Sequence, residues 1–292
     1  MMEQALAYAE QPMRFTCRGE YLLGILTTPS NAIVPPACGV LIIVGGPQYR
    51  AGSHRQFVLL ARRLAAAGIA VMRFDYRGMG DSSGEPRNFE NADDDIAAAI
   101  DAFRQACPGL RKIALWGLCD AASAALLYWQ ERKDPRVAAL CLLNPWVRSE
   151  ATLARAHVKH YYGQRLLQRE FWLKLLRGKL NLLGAFSGLL GSLRLWLGRK
   201  EWNTAQQPFQ QRMALALREF SGPVLLILSG DDYTAKEFIE CAATDAPWSG
   251  LLERSNIRRC DFKEADHTFS RIECRHAAEQ ATLDWLRKSV IS

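Results

Sequence analysis

The sequence predicts an α/β fold: a mostly parallel central sheet flanked by helices, with a helical segment inserted late in the sheet. Three observations predict it. Short apolar runs alternate with helical patterns through the first half of the chain, at the spacing of βαβ crossovers. The alternation stops after Leu143 and resumes at Pro223. The composition, 49% hydrophobic and 23% charged over 292 residues, excludes a wholly disordered or collagen-like chain.

Taken in order, Met13–Arg18 and Glu20–Thr28 read as two strands around a turn at Gly19. Gly39–Val44 is an unbroken apolar run, as a strand covered on both faces requires. A helix over His54–Ala67 ends at Gly68, and Ile69–Phe74 is the next strand. A helix over about Asn91–Gln105 follows, then the strand Lys112–Trp116 and a helix reaching about Arg132. Val137–Leu143 is a further buried strand. From Pro145 to about Glu219 there are Leu/Trp-rich helical patterns broken by glycines and no convincing strand. The rhythm returns with the strand Pro223–Leu228, a helix near Ala235–Ala243, a strand near Asn256–Phe262 and a helix over Glu273–Lys288. The expected organisation is a core in two parts, 1–145 and 220–292, with a helical cap at 146–219 inserted between them.

The turn between the strand at 112 and its helix reads Gly117-Leu118-Cys119-Asp120-Ala121. Small residues two before and two after a nucleophile let strand and helix crowd together, which lifts the nucleophile onto a sharp turn. Ala121 replaces the second glycine and keeps the small size. The following helix N-terminus favours a thiolate over a thiol. The pentapeptide alone is equally compatible with a buried structural cysteine, so the rest of the chain has to decide. In this kind of site the partners follow in the order nucleophile, acid, histidine. Asp231 and Asp232 follow the strand at 223, and Asp232 is preferred as the acid. His267, in Ala265-Asp266-His267-Thr268-Phe269, comes after the next strand and is placed to act as general base and acid. An acyl-transfer site also needs donors for the oxyanion. These are expected from the backbone N–H of Asp120 and of Gly46, since Pro47 has none. The run Phe74-Asp75-Tyr76-Arg77-Gly78-Met79-Gly80-Asp81-Ser82-Ser83-Gly84 reads as a braced loop. In it Asp75 and Arg77 supply hydrogen bonds, and Ser82 and Ser83 are structural.

Together these features resemble the α/β-hydrolase superfamily over nearly the whole chain outside the insertion. Many hydrolases carry His-Gly-Gly-Pro-Gly after the third strand; here Val44 stands at the histidine and Gln48 at the last glycine. A narrower resemblance rests on GGPQYR-x-GSHRQF, RFDYRGMGDSSG, WGLCDAASA, LSGDDYTAKEF and ADHTFS. These are similar to the exosortase A system-associated hydrolase family (type 1), which accompanies bacterial exopolysaccharide and protein-sorting loci. The resemblance implies a hydrolase with a cysteine at the elbow, supports Asp232 as the acid, and supplies no substrate.

A thiol paired with histidine can already be a thiolate, so attack on an ester or thioester gives a thioester acyl-enzyme that water or another acceptor resolves. Hydrolase and acyltransferase both stay open, beside a catalytically inactive scaffold that docks on a membrane. No cofactor is expected: no histidine and carboxylate cluster has metal-ligand spacing, and the glycine loop does not fit a dinucleotide site. The expected partner is a small acyl ester or thioester.

The net charge of +7 is uneven. Residues 148–218 hold 13 basic and 3 acidic residues, a net +10, which leaves −3 for the remainder. A cap with solvated basic faces is one reading; a surface that touches anionic membrane is the sharper one. Nucleic acid is not expected, because no reading motif accompanies the charge. The N-terminal stretch lacks a basic segment followed by an apolar one, so the expected location is cytoplasmic, with peripheral contact at the inner membrane as an extension. The eight cysteines, none in a C-x-x-C pair, are then expected as thiols.

Overall fold

The computed structural model describes residues 7–30, 37–46, 48–148 and 207–291. The chain divides into two compact units, Met1–Val147 with Pro208–Ser292, and Arg148–Gln207. The sheet and its helices belong to the first. The expected cap at 146–219 lies outside the described residues except at 146–148 and 207–219, and so does most of the basic surface expected over 148–218.

Eight strands form one sheet: β1 (Tyr8–Cys17), β2 (Glu20–Pro29), β3 (Cys38–Ile43), β4 (Ala70–Phe74), β5 (Lys112–Leu118), β6 (Val137–Leu143), β7 (Val224–Asp231) and β8 (Ile257–Asp266). Their order is β1-β2-β4-β3-β5-β6-β7-β8. β1 and β2 pair antiparallel with each other, and β2 with β4; every pair from β4 to β8 is parallel. The described helices of eight or more residues are α1 (Gln56–Ala66), α2 (Asp93–Ala106), α3 (Asp120–Arg132), α4 (Phe209–Glu219), α5 (Tyr233–Thr244) and α6 (Ile272–Leu286).

The unbroken apolar runs form because both sheet faces are covered. Along β3, Val40 and Ile42 face the cluster that holds Leu60 and Leu64 of α1 and Trp285 and Leu286 of α6. Leu41 and Ile43 face the other cluster, with Ile100 and Phe103 of α2, Leu126 of α3 and Phe238 of α5. Side chains alternate across a strand, so a strand buried on both faces must be apolar at every position. Local signals set the helix ends. Asp93, Asp94 and Asp95 fill the first turn of α2, where carboxylates stabilise exposed N–H groups. Gly68 follows α1 with φ 93, a conformation that favours glycine.

Strand ends differ from expectation at the edges. β1 begins at Tyr8, five residues before the expected start, because Tyr8–Pro12 is a mostly exposed edge segment without an apolar alternation. Pro12 is tolerated there because an edge strand need not donate on its open side. β8 runs on to Asp266, past Phe262, as the last strand on the opposite edge, with mostly exposed or half-buried side chains. No helix among the described residues is long and apolar enough to cross a membrane.

The order of the strands positions the site. From β3 the chain crosses through α1 to β4 on one side, then through α2 to β5 on the other side of β3. A crevice opens outside the carboxyl ends of the strands at such a reversal. The Gly45–Gly46 turn after β3 and Cys119 after β5 both lie at those ends.

Candidate active site

β5 ends at Leu118 and α3 starts at Asp120, so Cys119 alone makes the turn between them. Its backbone has φ 63 and ψ −126, a conformation that costs a non-glycine residue about 1–3 kcal/mol. Packing on both sides holds it there. A Cβ at Gly117 would come within 2.5 Å of the Ala121 carbonyl group, so only glycine fits at 117. Ala121 itself is fully buried. The Cys119 N–H donates to Leu143 O at 2.8 Å, tying the elbow to the end of β6. Cys119 is half-buried, whereas Cys17 and Cys38 are buried and their thiols are pushed up to about 11 by desolvation. All eight cysteines are free thiols.

Asp232 follows β7 and caps α5, accepting the N–H groups of Thr234 at 3.0 Å and Ala235 at 3.3 Å. Its Oδ2 lies 2.9 Å from His267 Nδ1. Burial pushes its carboxyl up, but the bond from His267 and the two backbone donors outweigh that and hold it below the usual carboxylate range. Asp231, the alternative at the sequence level, is the last residue of β7 and is exposed. His267 sits in the loop between β8 and α6. The Asp232 hydrogen bond, followed by interaction with the Cys119 side chain, raises His267 to about 10 against the opposing effect of burial. The imidazole is therefore held by the carboxylate through Nδ1 and interacts with the Cys119 side chain.

Two residues that the sequence did not single out hold this arrangement. Asn144, fully buried after β6 with φ 44, donates from Nδ2 to Ser229 Oγ at 2.9 Å and to His267 O at 3.4 Å. Its Oδ1 accepts the Ser229 N–H at 2.8 Å, and Ser229 Oγ donates to Asp266 O at 3.0 Å. The ends of β6, β7 and β8 are thereby tied together beneath the imidazole. An asparagine directly after a buried strand, with a serine near the end of the next, is the only sequence signal for this pair.

Of the two expected oxyanion donors, Gly46 N–H is engaged. It donates at 2.8 Å to Oδ2 of the Asp120 side chain, whose own backbone N–H is the other expected donor.

The loop after β4 is braced by two carboxylates. Asp95 accepts Arg77 Nε at 2.9 Å, Nη2 at 2.8 Å and the Arg77 backbone N–H at 3.0 Å, all buried. Asp75, also buried, accepts the N–H groups of Arg50 at 2.6 Å and Asp81 at 3.2 Å and pairs with the Arg50 guanidinium. Ser82 Oγ donates to Asp75 O and accepts the Leu23 N–H, which ties the loop to β2. Among the described residues no group of three or more His, Cys, Asp or Glu side chains is placed to hold a metal ion.

The backbone has the shape of known esterases. An esterase of Pyrococcus furiosus, Pf2001, superposes with a TM-score of 0.64 at 15% identity, covering 100% of this chain and 97% of that one. Est1E of Butyrivibrio proteoclasticus, in a structure with bound ferulic acid, gives 0.62 at 15% identity, over 96% and 100%. A dienelactone hydrolase of Anabaena variabilis gives 0.61 at 16%, over 97% and 99%. Among curated proteins, human protein ABHD12B is 32% identical over 103 residues, which is 35% of this chain and 27% of that protein. At such identities the structures speak for the fold alone. The family model described as "Alpha/beta hydrolase family" matches residues 40–273, from β3 through the elbow and past His267. The match spans most of the sequence and every element that positions Cys119, Asp232 and His267, so the chain belongs to the alpha/beta hydrolase family.

Proposed function

We propose that this protein is a hydrolase of esters or thioesters that works through Cys119, His267 and Asp232 and a thioester acyl-enzyme. One observation carries the reading: a cysteine held in a strained turn at a helix N-terminus interacts with an imidazole whose far nitrogen is fixed by a buried carboxylate. Sulfur attacks the acyl carbon, and the carbonyl electrons move onto oxygen. When the tetrahedral centre collapses, the C–S or C–O bond to the leaving group breaks, and protonated His267 supplies the departing atom with a proton. Acylation removes the Cys119 interaction that helps raise His267, so more of the ring is neutral and free to accept a proton at the stage where it must take one from water. The hydroxide adds to the acyl-enzyme, and the acid leaves as Cys119 sulfur is released.

The narrower resemblance to exosortase A system-associated hydrolases belongs to the same proposal and rests on the motifs alone. So does contact of 148–218 with anionic membrane, which rests on the +10 charge. The test is turnover of an acyl ester and the matching thioester by the wild type, by Cys119→Ala and by His267→Ala, with and without an amine or sugar acceptor. Turnover lost in both variants, with the free acid as product, supports the proposal. Undiminished turnover in Cys119→Ala sinks it, and acylated acceptor in preference to acid makes the enzyme a transferase.

A further inference from the structure

The residue after the nucleophile is expected to offer its backbone N–H to the oxyanion, and in this chain that residue also brings a carboxylate. Oδ2 of Asp120 accepts the Gly46 N–H at 2.8 Å, the length of a full hydrogen bond to the second expected donor. The amide N–H groups of Asp120 and Ala121, at the start of α3, also act on this carboxylate. Its other oxygen is built into the fold. A Cβ at Gly45 would lie 2.1 Å from Asp120 Oδ1 and 2.8 Å from the Ala121 nitrogen, so the glycine at 45 leaves the space that Oδ1 fills. Oδ1 is buried there without a hydrogen-bond partner of its own.

One N–H shared by two anions binds each more weakly than it would bind one. An oxyanion is stabilised by donors about 2.7–3.1 Å away, and the carboxylate oxygen already stands at that distance from Gly46 N. Substrate oxygen therefore meets an occupied site. We propose that the Asp120 carboxylate is an internal occupant of the oxyanion site, and that its displacement from Gly46 governs which acyl compounds this enzyme turns over. The proposal rests on the Cys119 reading above. Burial pushes the Asp120 carboxyl above its ordinary range despite the backbone donors, so burial disfavours its charged form at this position.

The Asp120 side chain is a positioning group: it sets the state of the Gly46 donor and itself touches no reacting atom. A small acyl group must displace the carboxylate with little binding energy of its own, so acetyl compounds are poor substrates for the wild type.

Two probes test this. An aliphatic aldehyde adds to Cys119 as a hemithioacetal, and its oxygen must enter the oxyanion site. Iodoacetamide alkylates the same sulfur through a step that forms no oxyanion. Wild type, Asp120→Asn and Asp120→Ala are compared, each first shown folded by thermal unfolding. Expected is an aldehyde affinity at least tenfold higher in Asp120→Ala, with Asp120→Asn in between and kcat/KM for an acetyl thioester rising in the same order. Iodoacetamide labelling should change less than threefold. Equal or weaker aldehyde binding in both folded variants, with the wild type still acylated at Cys119, overturns this inference alone and makes the carboxyl a required group. A wild type that forms no adduct at Cys119 with either probe overturns the inference together with the Cys119 mechanism.

Discussion

Replacing Gly117 by alanine tests the link between packing and reactivity. The added Cβ would lie 2.5 Å from the carbonyl carbon and oxygen of Ala121 and 2.6 Å from Ala122 N. Ordinary contact begins near 3.4 Å, so the first turn of α3 must move away from β5 by about 0.9 Å. No flexible side chain can absorb the shift, since all three atoms are backbone. Overpacking of this kind costs about 1–3 kcal/mol of stability. The larger effect falls on the site, because the moving turn carries Cys119 relative to His267 on a separate loop. A misplacement of about 1 Å lowers a rate by about a hundredfold. The assay is kcat/KM for a thioester alongside the urea midpoint. Gly19→Ala serves as the control: its φ of 86 strains alanine, but nothing lies within 4 Å of its Cβ. That variant loses about 1–2 kcal/mol and keeps its rate. A stable Gly117→Ala protein with the wild-type kcat/KM would refute the reasoning.

Three further outcomes follow from the geometry. Asp232→Asn removes the largest influence that raises His267 and leaves its ring free to take the wrong tautomer, so kcat should fall by about 10²–10⁴-fold; a pH–rate profile should show its base-side limb moved to lower pH. Because folding raises His267 to about 10, folding favours the protonated ring: that stabilisation is complete below about pH 6.5, shrinks as pH rises, and is gone above about pH 10. The melting-temperature gap between wild type and His267→Ala should therefore narrow from pH 6 to 10 on a thermal scan, and a constant gap would count against the pairing. Asp95→Ala removes both hydrogen bonds to the Arg77 guanidinium and leaves it only Asp94, 3.9 Å away, and chemical denaturation should report a loss of about 1.5–3 kcal/mol.

The strands that carry the site were legible because burial on both faces leaves an unmistakable trace. Residues Val40–Ile43, Ile113–Trp116, Ala139–Leu143 and Val224–Leu228 are apolar at every position for that reason. The chain order of Cys119, Asp232 and His267 was legible because each follows a strand end. Asp231 and Asp232 could not be separated by spacing, since one residue decides whether the carboxylate points outward at the end of β7 or folds inward to cap α5. Tyr8–Pro12 escaped because an exposed edge strand needs no apolar alternation. Asn144 and Ser229 escaped because their role exists only once β6 and β7 are neighbours. The Asp120 carboxylate was hidden for a similar reason: the sequence shows a residue whose N–H faces the oxyanion, while the path of its side chain onto Gly46 depends on the pairing of β3 with β5.

The most direct test of the account is the covalent state of Cys119 during turnover. Wild type and His267→Ala are mixed with an acyl thioester, quenched in acid at short times, and digested for peptide mass analysis. The account predicts one acyl group on the peptide that carries Cys119, transient in the wild type and persistent in His267→Ala if that variant acylates. Steady hydrolysis by the wild type with the acyl group never found on Cys119 at any time, and with Cys119→Ala equally active, would contradict it.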